Sequence, residues 1–93
     1  MGTKRNLDYI YKDGTQEVII ELDYQSVKKE LIEQYIRCRK SQGITQEELA
    51  KRTGVSRPNI SRFESGTYNP SLEMMVKVAA ALGMTLRINL EQG

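Results

Sequence analysis

Residues 45–66 read TQEELAKRTGVSRPNISRFESG, and this stretch decides the fold. It opens on Thr45-Gln46-Glu47-Glu48, a capping box: the Thr45 hydroxyl is placed to accept the Glu48 backbone N–H, and the Glu48 side chain to reach back. Leu49 and Ala50 supply an inward face, Gly54 ends the first helix, and Val55 is an apolar plug in the turn. Ser56 is the expected cap of a second helix. Pro58 falls in its first turn, where early N–H groups lack intrahelical partners anyway. The proline also disfavours helical geometry at Arg57, which leaves room for the cap to slip by one residue. Ile60 and Phe63 make an apolar pair at i, i+3, and Gly66 stops the helix.

Two short helices joined by a tight glycine turn form a helix-turn-helix. Leu49, Ile60 and Phe63 are expected to lock the crossing angle, with small Ala50 where the helices meet. That leaves Arg57, Pro58, Asn59, Ser61 and Arg62 pointing outward from the second helix. Such a helix fits the roughly 12 Å major groove of DNA and leads with its N-terminal residues. The charge distribution points the same way. Residues 37–62 hold seven Lys and Arg against Glu47 and Glu48, net +5, although the whole chain is only +2. A basic stripe is the electrostatic footprint of a nucleic-acid binder; a solvated basic face with no partner is the plainer reading of charge alone.

Working outward, Gly43, Gly54, Gly66 and Gly83 divide residues 24–83 into four helical segments. The one before the quoted stretch carries Val27, Leu31 and Tyr35 at i, i+4, i+8, with Ile32 and Ile36 alongside. Arg37, Arg39 and Lys40 lie in its last turn, where cations suit the helix dipole. The one after it runs from about Ser71 to Leu82, with Leu72, Met75, Val78, Ala79 and Leu82 as the inward stripe. Residues 85–90 then alternate polar and apolar and read as a half-buried strand. Val18-Ile19-Ile20-Glu21-Leu22 reads as a second strand or as a lead into the first helix. An unpaired strand edge is a liability, so residues 85–90 are expected to pair with a symmetry mate or with residues 18–22. The fourth helix and this strand are then the expected dimer interface.

Composition excludes much chemistry. Ninety-three residues make about one small domain. There is no His, hence no Ser-His-Asp or Cys-His catalysis and no His metal site, and the single Cys38 forms no intrachain disulfide and reads as an inert helix residue. The seven glycines are scattered and form no phosphate loop. No enzyme activity, metal or cofactor is expected. At 39% hydrophobic and 28% charged the balance is that of a soluble globular protein. No apolar run approaches the roughly 18 residues of a membrane helix. Lys4, Arg5, Asp8 and Lys12 break any early apolar run, so a cytoplasmic location and no membrane partner are expected.

At residues 26–83 the chain resembles the XRE-type helix-turn-helix domains, the group that includes lambdoid phage repressors. The resemblance is carried by the first helix, ITQEELA, the turn GVS, RPNISRFESG, and Pro70-Ser71-Leu72 leading into a helix that ends Ala81-Leu82-Gly83. It implies a mainly α fold of four to five helices. It also implies roles at matching positions: Arg57, Pro58 and Arg62 at base-reading positions, Gln46 at a phosphate-contacting one, and residues 66–69, with Tyr68, in a phosphate-touching loop. Arg39 and Glu64 match a structural ion pair. Ser56, Asn59 and Ser61 fall where phosphate or sugar is within reach, although Ser56 is a helix cap first. Pro58 departs from family members with Gln there. It has no donor, so a thymine-methyl contact is the most it offers.

Both ends add to this core: an N-terminal extension over residues 1–23, and the strand that closes the domain of residues 24–93. That layout is similar to the HigA-type antitoxins within the XRE group. The likeness implies a homodimer on a palindromic operator in double-stranded DNA, repression of its own operon, and neutralisation of a small basic toxin of the RelE-like ribonuclease class. The acidic Asp8, Asp13, Glu17, Glu21 and Asp23, with Tyr9, Ile10, Tyr11 and the 18–22 run as apolar anchors, are the expected toxin-binding element. A structural strand or frayed tail is the alternative for that segment. A stand-alone repressor, of phage type or a restriction-modification controller, is the alternative for the whole chain.

Overall fold

The computed structural model describes residues 15–92, with side chains from Asp23 onward. Residues 1–14, including Tyr9, Ile10 and Tyr11, lie outside the described residues. Four helices follow in chain order: α1 (Thr15–Ser41), α2 (Gln46–Thr53), α3 (Arg57–Ser65) and α4 (Leu72–Ala81). α2 packs on α3 and on α4, and α1 packs on α3.

Local chemistry sets the boundaries. The Thr45 hydroxyl accepts the Glu48 N–H at 3.0 Å, and the Ser71 hydroxyl accepts the Met74 N–H at 3.0 Å. Each satisfies one of the donors that a helix start leaves without a partner. At Ser56 the cap accepts the Asn59 N–H at 3.4 Å. The cap therefore does not slip: α3 starts at Arg57, and Pro58 sits in the first turn, where its missing N–H costs nothing. Glu48 does not close its half of the capping box, because its carboxylate accepts from Arg52 Nε at 3.2 Å, one turn on. Gly54 and Gly66 end α2 and α3 in the left-handed region, at φ 76° and 73°, where a Cβ would be strained.

Ile60, Phe63, Leu49 and Val78 are the largest fully buried side chains. Tyr35, Ile44, Ala79 and Leu82 complete the cluster, with Leu31, Ala50, Val55 and Met75 packed around it. Tyr35 meets Phe63 edge-to-face at 5.1 Å between ring centres, and its hydroxyl donates to Met75 O at 2.8 Å. Burial raises the Tyr35 phenol pKa above its ordinary value. The end of α4 is tied down from two sides. Gln42 Nε2 donates to Leu82 O at 2.8 Å and Arg52 Nη1 to Ala81 O at 3.2 Å, satisfying carbonyls that the helix leaves open.

Three expectations are corrected. Among the described residues there is no strand. Residues 85–90 have no regular secondary structure: Leu86 packs on the core, while Ile88 and Leu90 are exposed. Alternation places side chains on two sides, but a strand also needs a neighbour's backbone, and no described segment offers one. Residues 18–22 cannot serve, because of their two readings it is the lead into the first helix that holds: they are helical, and α1 crosses position 23 without a break. Finally, Leu72, expected to face inward, is 57% exposed, and Val27 is likewise exposed.

Among the described residues no helix is long and apolar enough to cross a membrane.

Candidate functional site

The buried face of α3 fixes its exposed face. Ile60 and Phe63 are 0% and 1% exposed, and this orients the helix so that Arg57, Pro58, Asn59, Ser61 and Arg62 are all exposed. Gln46, the first residue of α2, lies beside the start of α3. Together Gln46, Arg57, Pro58 and Ser61 line one shallow depression. Two helix N-termini thus meet at one surface, with the Gln46 and Glu47 N–H groups of α2 and the Arg57 N–H of α3 left without an intrahelical partner, beside the positive ends of the two dipoles. The arrangement suits an anionic ligand approaching α3 from its N-terminal side.

Behind this surface sits a charged network. Arg39 donates to Glu64 through Nε at 2.6 Å and Nη2 at 2.9 Å, and to Ile44 O through Nη1 at 2.8 Å. The two side chains are 11% and 7% exposed. Glu64 Oε1 also accepts from Gln46 Nε2 at 2.9 Å. One carboxylate at the end of α3 therefore holds the end of α1 and the start of α2. A carboxylate only accepts, so Gln46 turns its amide nitrogen toward Glu64 and has one N–H left for another partner.

The remaining candidates divide. Arg62 Nη1 donates to Asn59 Oδ1 at 2.5 Å on the open face of α3. Ser56 spends its hydroxyl oxygen on the cap, with its O–H still able to donate. In the loop after α3, the Gly66 and Thr67 N–H groups donate to Arg62 O and so close the helix. Tyr68 is half-buried against the core rather than displayed on α3. Sequence reasoning did not single out Lys28. Its ammonium donates to Gly66 O at 3.2 Å and Asn69 Oδ1 at 3.4 Å, pinning this loop to α1, and Tyr24 Oη donates to the same Asn69 Oδ1 at 2.6 Å. These contacts join residues about 40 apart, and no local pattern marks them. Among the described residues no group of three metal-capable side chains is placed to hold an ion.

Comparison with known proteins places this geometry. An uncharacterized HTH-type transcriptional regulator of Haemophilus influenzae is 40% identical over 68 residues, covering 73% of this chain and 69% of that protein. A second such regulator, from Methanothermobacter thermautotrophicus, is 53% identical over 45 residues, 48% of this chain and 65% of that one. Antitoxin HigA1 of Mycobacterium tuberculosis is 38% identical over 63 residues, 68% of this chain and 42% of the antitoxin. The chain therefore spans less than half of that antitoxin's length. Among solved structures, a chain of a toxin-antitoxin module from Streptococcus pneumoniae superposes with a TM-score of 0.62 at 30% identity, covering 99% of this chain and 97% of that one. Residues 36–89 match the family described as helix-turn-helix. With more than half of its length matched in this way, and with α2 and α3 forming the motif, the chain belongs to the helix-turn-helix family.

Proposed function

We propose that this chain is a sequence-specific, DNA-binding regulator of transcription, and the antitoxin of a toxin-antitoxin pair that neutralises a RelE-like ribonuclease and represses its own operon. The observation that carries the DNA-binding part is the display of Arg57, Asn59, Ser61 and Arg62 on α3 beside the start of α2, with Ile60 and Phe63 buried behind them. In this reading α3 enters the major groove. Arg62 donates to a guanine edge, Arg57 reads or steers, Pro58 meets a thymine methyl, and Ser61 and Asn59 contact sugar or phosphate. Gln46 offers its remaining N–H to a phosphate, and Ser56 and Tyr68 lie at the edges of the contact.

The names of the relatives support regulation of transcription, and the HigA1 and Streptococcus pneumoniae matches support the antitoxin role. The toxin is assigned to the acidic extension, residues 1–23, because a ribonuclease that binds RNA is basic and acidic steering speeds association. Dimerisation sets two recognition helices about one DNA turn apart on a palindromic operator. A stand-alone repressor is the second reading, favoured by the Haemophilus influenzae relative, whose name carries regulation alone.

The test is a pull-down of the tagged chain from its native cells, with mass spectrometry of bound protein and sequencing of bound DNA. A stoichiometric small basic protein plus one promoter fragment supports the antitoxin. DNA without such a protein supports the stand-alone repressor. Neither partner overturns both.

Arg62→Ala is expected to cost about 1–3 kcal/mol of operator affinity and to relax specificity at one base pair. In the free protein this change frees only the exposed Asn59 amide, so stability stays within about 0.5 kcal/mol. Fluorescence anisotropy on operator variants reads both effects. An equal loss on every sequence reassigns Arg62 to a phosphate. Wild-type affinity is expected to fall about a thousandfold between roughly 50 and 200 mM salt, if about six phosphates are neutralised.

A further inference from the structure

The first described turns of α1 add little to the core. Val27 is 55% exposed, and the first buried side chain among those described on this helix is Ile32. What these turns do reach is the loop between α3 and α4. Tyr24 and Lys28 stand one turn apart on one side of α1, with Lys28 Nζ 5.2 Å from the centre of the Tyr24 ring. Both side chains end on Asn69, and Lys28 also ends on Gly66 O. Both residues precede 36–89, the part that matches the helix-turn-helix family, so the contact lies outside the shared motif.

The loop needs such a hold. Among the described residues, the backbone of residues 68–70 makes no hydrogen bond to other backbone groups, and Pro70 has no N–H to offer. Gly66 and Thr67 close α3 through Arg62 O, and Tyr68 packs on the core. Beyond those points the course of the loop depends on side chains. A lysine only donates, so its bond fixes the Asn69 amide with Oδ1 toward α1. Tyr24 Oη donates to the same oxygen at 2.6 Å. The Asn69 Nδ2 group is thereby turned away from these two donors.

We propose that Tyr24 and Lys28 are positioning residues for DNA binding. Acting through Asn69 and Gly66 O, they hold the loop after α3 in the form that meets the sugar-phosphate backbone, and neither touches DNA itself. The inference rests on the reading of residues 66–69 as a phosphate-touching loop, and adds to it two residues from another helix. A loop already ordered in the free protein loses less entropy on binding, so breaking the clamp lowers affinity without removing a contact.

Fluorescence anisotropy of the full chain, on the promoter fragment that the wild type retains from its native cells, tests this. Tyr24→Phe removes one hydroxyl and no charge, and is expected to weaken binding about three- to tenfold, the order set by one net hydrogen bond. Lys28→Met removes two bonds and should cost about ten- to thirtyfold. For both, the slope of log affinity against log salt should match wild type, because no phosphate contact is lost. In an Asn69→Ala background Tyr24→Phe should cost nothing more, since its acceptor is already gone. Urea midpoints should hold throughout, because all three residues lie outside the core cluster. Without DNA, amide exchange over residues 66–70 should quicken in Lys28→Met and stay unchanged in α2. Full affinity in both variants overturns the positioning role, and so does a Tyr24→Phe penalty that persists without Asn69. A salt slope shallower by about one in Lys28→Met, with Tyr24→Phe at wild-type affinity, makes Lys28 a direct phosphate contact and also overturns it. A wild-type chain that retains no DNA is a separate failure: it overturns the regulator reading, and this inference with it.

Discussion

Phe63→Ala is expected to lower the unfolding free energy by about 3–5 kcal/mol. Phe63 is 1% exposed and stands where α1 and α3 meet, edge-on to Tyr35 at 5.1 Å. Truncation removes the transfer free energy of the ring and leaves a cavity that these helices cannot readily close. Tyr35 is held in place by its own hydrogen bond to Met75 O, so it cannot swing into the gap without breaking that bond. A small domain has about 5–15 kcal/mol in total, and a chain of this size sits near the lower end. The variant should therefore lose most of its cooperative thermal transition, by circular dichroism, at temperatures where the wild type is folded. Phe63→Leu keeps most of the volume and should cost less than half as much. If Phe63→Ala instead melts within a few degrees of wild type, the α1–α3 contact is not where the stability lies.

The middle of the chain was legible because its signals are local. Thr45, Gly54, Ser56 and Gly66 act on groups within four residues of themselves, and Ile60 and Phe63 reveal one helix face by spacing alone. The ends were not legible, for two different reasons. Val18-Ile19-Ile20 is β-branched and reads as a strand or as a lead into the first helix, and propensity, worth only tenths of a kcal/mol per residue, does not decide between the two. Lengthening an existing helix avoids the cost of a new nucleus, and α1 runs through these residues from Thr15. Residues 85–90 have the alternation of a strand, but pairing depends on a partner that no alternation can supply.

Leu72 failed for a third reason. It lies in the first turn of α4, where one residue of rotation separates the core from solvent, and the apolar run Met74-Met75-Val76 leaves the phase of the helix undetermined. The site shows the same division. The exposed residues of α3 follow from its buried ones, whereas the link from Glu64 to Gln46 spans 18 positions and involves a residue expected to meet only DNA. That link makes the ion pair more than a strut, because it ties the position of a candidate phosphate contact to the end of α3.

Glu64→Ala is accordingly expected to act twice. The first effect is on stability. It leaves the Arg39 guanidinium, 11% exposed, with Ile44 O as its remaining protein acceptor, and an uncompensated buried charge costs about 3–5 kcal/mol. Glu64→Gln keeps an acceptor but loses the charge, so a smaller loss is expected. Replacing both partners, as in Arg39→Met with Glu64→Leu, should return stability to near that of wild type, since no charge is then left buried. Urea denaturation of the four proteins measures this; equal losses in the single and double variants would show that the pair itself, rather than the stranded arginine, carries the effect. The second effect is on DNA, and the double variant isolates it. With stability restored but Gln46 released, operator affinity should fall by several-fold, and Gln46→Ala should cost less there than in wild type, because the order that Glu64 imposes is already gone. A Gln46→Ala penalty of the same size in both backgrounds would mean that Glu64 stabilises the fold without positioning Gln46.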